Sequence, residues 1–127
     1  MRSIKSTGGR AEVSLRRTVW REGGRYRVHD KTLPGTPDLT FRRAKVAVFV
    51  DSRFWHGYLR EEQYLGLAPY WQTKLRRNYA RDQETTTRLE GLGWQVLRYF
   101  EEDVDARCPE IAAEIRYAVL LRSPQKK

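Results

Sequence analysis

Glu12, Asp38, Asp51, His56 and Asp82 are the side chains whose types and spacing could do chemistry. Asp38 follows Pro37, so a stiff backbone fixes its carboxylate. The apolar run KVAVFV ends at Asp51, and the stretch FVDSRFWHG then brings His56 after Arg53, Phe54 and Trp55. Clustered carboxylates repel one another and are costly unless a cation sits between them. Oxygen ligands of this kind suit Mg²⁺, which takes one or two carboxylates and keeps several waters. With an imidazole beside it, such a site points to metal-assisted phosphodiester hydrolysis.

Each residue also has an ordinary structural reading. Glu12 can pair with Arg16 one helical turn away, Asp82 can hold a core arginine or tyrosine, and His56 can pack among its aromatic neighbours. One cysteine and two histidines cannot furnish a tetrahedral structural zinc without acidic help.

The elements that must position these groups follow from patterning. Residues 10–20 read as a helix with Leu15, Val19 and Glu12 on one face, stopped by Gly23-Gly24. A short strand over 25–28 precedes the rigid turn LPGTP. DLTF and KVAVFV read as two strands joined by a basic turn at Arg42-Arg43. The second is apolar throughout, as expected of a strand covered on both faces. In such a hairpin the start of one strand lies beside the end of the next, which brings Asp38 towards Asp51. Residues 52–69 read as irregular. A helix over 70–89 carries Leu75, Tyr79 and Leu89 on its inward stripe, and Asp82 falls about 20° from Leu75 around the axis. WQVLRYF, 94–100, is a further strand, and 109–121 a closing helix with Ile111, Ile115 and Val119 on one stripe. The order predicts an α/β (α+β) fold, a mixed central sheet flanked by helices. Residues 1–9 read as a flexible basic arm, 10–121 as a single domain and 122–127 as a disordered basic tail.

A net charge of +9 favours a polyanionic partner, nucleic acid ahead of a ribosome or membrane surface. No apolar run approaches membrane-spanning length, and MRSIKSTGGR lacks a signal peptide's apolar segment. The lone Cys108 precludes an internal disulfide and fits a reducing cytoplasm, so a cytoplasmic, nucleoid-associated protein is expected.

LPGTPD, FVDSRFWHG, the span from Trp71 through Asn78 to Arg81-Asp82, and LEGLGWQVLRYFE resemble the very-short-patch-repair (Vsr) mismatch endonucleases of the PD-(D/E)XK nuclease superfamily. The resemblance runs from about Glu12 to Glu102 and implies a Mg²⁺-dependent enzyme, working as a monomer, that nicks double-stranded DNA 5′ of the thymine in a T·G mismatch. It assigns Asp38 as the metal-binding aspartate, the Val50 backbone carbonyl as the second protein ligand, and His56 as the group that activates water. Glu12 and Asp82 match the supporting acids, and Asp51 stands where the best-known members have a second histidine. Phe54, Trp55 and Trp71 match side chains that wedge into DNA beside the mismatch, replacing lost base stacking with aromatic stacking.

The family usually carries a structural zinc on three cysteines and a histidine. Here the corresponding positions are Arg53, Tyr58, Arg60 and Glu102, so no structural zinc is expected. A salt bridge from Arg53 or Arg60 to Glu102 is expected to take over the cross-link; the alternative is that both arginines face DNA phosphate. Two other functions compete with mismatch repair: a site-specific nuclease of a mobile or defence element, and a non-catalytic DNA-binding module.

Overall fold

The computed structural model describes residues 9–123, so the expected basic arm lies almost wholly outside it, as does most of the tail. The architecture is arranged around β3 (Val46–Asp51), all six residues of which are buried. Successive side chains of a strand point to opposite faces, so Val46, Val48 and Val50 serve one layer while Ala47, Phe49 and Asp51 serve the other. β3 pairs antiparallel with β2 (Leu39–Phe41), in the register Leu39 to Val48. It pairs parallel with β4 (Gln95–Phe100), where Val50 meets Tyr99. With β1 (Arg27–Val28) beyond β2, the sheet runs β1-β2-β3-β4.

Helices α1 (Arg10–Arg21) and α4 (Glu101–Arg122) cover the first face, burying Leu15, Val19, Val104, Ile111 and Ile115 against the three valines of β3. On the second face Ala47 and Phe49 pack with Trp94 and with Leu89 of α3 (Pro69–Gly91). That helix supplies the crossover a parallel strand pair requires. The result is the mixed sheet between helices that the patterning predicts, consistent with a PD-(D/E)XK-like nuclease fold.

Four local expectations change. The strand predicted over 25–28 narrows to Arg27–Val28. Within 52–69 a short helix forms, α2 (Glu61–Leu65); five residues are too few to declare a helical period. The helix predicted from Pro109 is present and runs on through Arg122, into the predicted tail, but across a kink α4 carries a further helical stretch ahead of it that begins at Glu101. Its first turn carries Glu101, Glu102 and Asp103, which the N-terminal end of a helix dipole favours. Pro109, which cannot donate a helical hydrogen bond, is accommodated by a kink at Arg107 (φ −136°, ψ 39°). Finally, Tyr79 is 40% exposed. No strand lies beneath it; its ring meets Tyr58 edge to face at 5.1 Å, because the segment after β3, rather than the sheet, covers this part of α3.

That segment is seated by Gly57. Its φ of +74° lies in the left-handed region, and a Cβ there would overlap the Leu75 carbonyl oxygen and sit 2.7 Å from Tyr64 Oη and 2.9 Å from Tyr79 Cβ. The Tyr64 hydroxyl donates to the Gly57 carbonyl from α2, and Asn78 Nδ2 of α3 donates to the Trp55 carbonyl at 2.9 Å. Gly57→Ala must therefore lift the loop or strain it, with an expected loss of roughly 2–4 kcal/mol. Gly91→Ala, where a Cβ meets nothing within 4 Å, should be neutral or slightly stabilising. Urea midpoints of the two variants check the contrast.

Candidate active site

The site gathers at the end of the sheet where β2 begins and β3 ends. Asp38 is held by its backbone, whose N–H donates to the Val48 carbonyl at 2.9 Å, and by its side chain, whose Oδ2 accepts the Val50 N–H at 2.8 Å. The turn before it is wired by Asp30, a buried carboxylate that accepts from the Thr32 hydroxyl at 2.6 Å, from Thr40 at 3.2 Å and from Arg42 at 2.9 Å. The Thr32 hydrogen bond, followed by further donors that outweigh burial, holds the Asp30 carboxyl below its ordinary value. Asp30 is thus a structural acid.

Burial pushes the Asp38 carboxyl up to about 7, with the charges of Glu12 and Asp51 adding to it, against the Val50 hydrogen bond and His56. Glu12 reaches this point from α1 and is itself buried. It pairs with Arg16 at 3.1 Å, so its ordinary structural reading and its place in the site hold together. A further residue, His29, completes the group; its Nε2 lies 2.8 Å from Glu12 Oε2 and 3.8 Å from Asp38 Oδ1. The approach to Glu12 is close but not aligned, which leaves the buried Nε2 without a hydrogen-bond partner. His29 sits at φ 49° directly after the two-residue β1, where no periodic pattern marks it.

Asp51, His56 and Asp82 form a second group. Asp82 of α3 takes a short hydrogen bond from His56 Nδ1, and Asp51 Oδ1 is 3.8 Å from His56 Nε2. Burial works to lower the His56 imidazolium, but the Asp82 hydrogen bond and the charge of Asp51 prevail, so its pKa is raised. Asp51 is raised too, by burial, against Arg98 and His56. Arg98, from β4, is the second residue that sequence patterning missed: Nη1 lies 3.1 Å from Asp51 Oδ2 and 3.7 Å from Asp82 Oδ2. Its only sequence signal is a charge in an otherwise apolar strand. Asp38 of the first group and Asp51 and His56 of the second line one cleft of about 340 Å³, with Gly35, Thr36, Phe49 and Val50.

Beside the cleft runs a chain of edge-to-face rings. Phe54 meets Trp55 at 5.1 Å, Trp55 meets Trp71 at 5.8 Å, and Trp71 meets Tyr70 at 5.2 Å. None of the four belongs to either core cluster; Phe54 and Tyr70 are exposed. Where the resemblance expects a zinc replacement, Arg53 Nε contacts Glu102 Oε2 at 2.6 Å, and its guanidinium lies 3.8 Å over the Phe100 ring. Tyr58 packs against Phe100 at 5.0 Å. Arg60 turns instead to Glu62, at 2.8 Å.

Because the fold holds the Asp38 proton up to about pH 7 while an unfolded aspartate loses it near 4, metal-free stability should fall as pH rises through that window. Asp38→Asn removes the charge and keeps an acceptor for Val50. Relative to the parent, this variant should gain on the order of 1–3 kcal/mol at pH 8 and little at pH 4. Urea denaturation in EDTA at both pH values checks this, and an equal change at both would contradict it.

The chain resembles known proteins over nearly its whole length. The family model described as DNA mismatch endonuclease Vsr matches residues 1–61. The type II nicking enzyme V.NmeDIP of Neisseria meningitidis serogroup C is 41% identical, over 94% of this chain and 82% of the relative. V.HpaIIP of Haemophilus parainfluenzae, also a type II nicking enzyme, is 34% identical over 94% of this chain and 87% of its own. DNA mismatch endonuclease Vsr of Escherichia coli K12 is 32% identical over 80% of this chain and 66% of its own. With the fold and the cleft already in place, these likenesses settle its class: the chain belongs to the Vsr family and is a DNA endonuclease.

Proposed function

We propose that this endonuclease uses Mg²⁺ to nick double-stranded DNA 5′ of the thymine in a T·G mismatch, in very short patch repair. It would work as a monomer at the nucleoid, in the cytoplasm. The observation that carries the reading is the juxtaposition of the Asp38–His56 cleft with the ring series Phe54–Trp55–Trp71, of which Phe54 is exposed and the two tryptophans are half-buried. A mismatched step is cheaper to unstack than a matched one, so rings set beside the scissile position favour mismatched DNA without reading bases one by one.

The donor set fits a divalent cation. Asp38 is a buried carboxylate whose charge burial opposes, and the unpartnered His29 Nε2 faces the same point as Glu12 and Asp38. Asp38 and the Val50 carbonyl would hold the ion, with Glu12 and His29 ordering its surroundings. When bound, Mg²⁺ would stabilise the charge that builds on the phosphate. The protein's own part is proton transfer and orientation. Asp82 accepts from His56 Nδ1 and so fixes the tautomer whose Nε2 is open to take a proton from water. Backbone phosphates would be met by Lys and Arg, which carry the affinity.

A second reading is favoured by the names of the relatives, several of which are type II nicking enzymes: site-specific nicking in a defence element without mismatch preference. Matched and T·G duplexes of one sequence, incubated with Mg²⁺ and run on a denaturing gel, separate the two. Mismatch repair requires a nick in the T·G duplex alone, whereas equal nicking of both supports the second reading. Asp38→Ala should abolish cleavage and leave DNA binding largely intact, and undiminished cleavage would defeat the assignment. His56→Ala should lose most of the rate with metal affinity nearly unchanged. Trp55→Ala should weaken binding to T·G duplex more than to matched duplex, by about 1–3 kcal/mol. Equal losses in fluorescence anisotropy would make Trp55 a general contact.

A further inference from the structure

Two groups of acids and imidazole converge here with ligand atoms within 4.8 Å of one another, Glu12–His29–Asp38 and Asp51–His56–Asp82. By residue type both could hold a metal ion. Each has a guanidinium beside it, but Arg16 reaches one carboxylate of the first group, Glu12 at 3.1 Å, whereas Arg98 Nη1 lies between two of the second, 3.1 Å from Asp51 and 3.7 Å from Asp82. The Arg98 side chain, 16% exposed, runs along the second group and is fixed at every polar edge. Nη1 reaches Asp51 Oδ2 at 3.1 Å and Nη2 the Asp82 carbonyl at 3.3 Å, while Nε donates to Thr86 Oγ1 at 2.9 Å. The guanidinium also lies 4.1 Å over the Phe49 ring. These contacts tie the end of β3, the middle of α3 and β4 together around the imidazole.

We infer that Arg98 is the fixed cation of this half of the site: it takes the place a metal would have between Asp51 and Asp82, and so confines the divalent ion to the Asp38 half. The inference rests on the metal-dependent reading above. The Asp51 carboxylate is 2% exposed, and a buried charge needs a partner. A planar fork with five donors can satisfy Asp51, Thr86 and the Asp82 carbonyl at once, whereas a lysine ammonium cannot. With the guanidinium in place, a second cation at the same carboxylates meets like charge at close range in a poorly solvated setting. Arg98 thereby acts through Asp82 and Asp51 on His56. It is a positioning residue, and its removal should lower turnover more than DNA affinity.

Mn²⁺ binding, read by electron paramagnetic resonance, tests this alongside kinetics. Glu12→Gln with Asp38→Ala removes both carboxylates of the first half and leaves Arg98 untouched. That chain should take up Mn²⁺ at least about tenfold more weakly than the parent; undiminished uptake would overturn the inference. Adding Arg98→Met to that pair should restore Mn²⁺ uptake at Asp51, His56 and Asp82, and failure of the folded triple variant to bind would count against it. In the otherwise unaltered chain, Arg98→Met should lower kcat roughly 10- to 100-fold with KM for DNA changed less than about threefold. Arg98→Lys should recover only part of kcat. Unchanged kcat in Arg98→Met, or a loss confined to KM, would overturn the positioning role. A parent chain that takes up no Mn²⁺ while Arg98→Met does would instead sink the Asp38 metal assignment and leave the role of Arg98 standing.

Discussion

Asp38 and Asp51 are carried beneath protein by the two antiparallel strands that build the core, and a carboxylate there cannot keep its charge alone. The strands cannot release them: Asp38 is locked to Val48 and Val50 by hydrogen bonds on both its backbone and its side chain, and Asp51 ends a strand buried on both faces. The rest of the site answers this constraint in two ways. At Asp51 the answer is built in, since Arg98 and His56 bring positive charge against it. At Asp38 the nearest charged groups include more carboxylate, and its proton is retained up to about pH 7. One fold thus offers a half in which protein cations offset part of the burial of its acid and a half in which acid faces acid.

The aromatic flank depends on a different support. Several weak ties act together on this loop. The Arg53–Glu102 pair is about half exposed on both sides, and an exposed pair contributes little by itself. Its guanidinium also lies on Phe100, against which Tyr58 packs, and Tyr58 in turn meets Tyr79 of α3. Gly57 sits against the α3 backbone between them. The loop is therefore anchored at three points whose loss would be felt at Trp55 and His56, immediately before Gly57.

Much of this was legible in the sequence for identifiable reasons. The apolar run of β3 and the helical periods of α1 and α3 are long enough to announce themselves, so the sheet, its helices and the inward turn of Glu12 and Asp82 follow from period alone. His29 and Arg98 did not follow. His29 lies after a two-residue strand, at a left-handed φ that only the hydrogen bonds to the Asp38 turn impose. Arg98 looks like a misfit among Val96, Leu97, Tyr99 and Phe100 until the parallel register sets it beside Phe49, one residue before Val50 and two before Asp51. Both are products of long-range pairing, which no local pattern encodes. Tyr79 failed in the opposite direction, since a helical stripe says which face turns inward and not what will cover it.

The acids of the cleft also set a condition on the +9 charge of the whole chain. A basic protein draws DNA at long range, but a phosphate entering this cleft meets Asp38 and Asp51 at short range. While Asp38 keeps its proton the repulsion is softened, and the same proton opposes a cation. A divalent ion that displaced it would reverse the local field and draw the phosphate towards Asp38 and His56. On the metal-dependent reading proposed above, ion and DNA would then strengthen each other's binding, because each would relieve the charge that opposes the other. This coupling would follow from burial of Asp38. It would make the acidic cleft on a basic surface a gate that admits phosphate together with its metal.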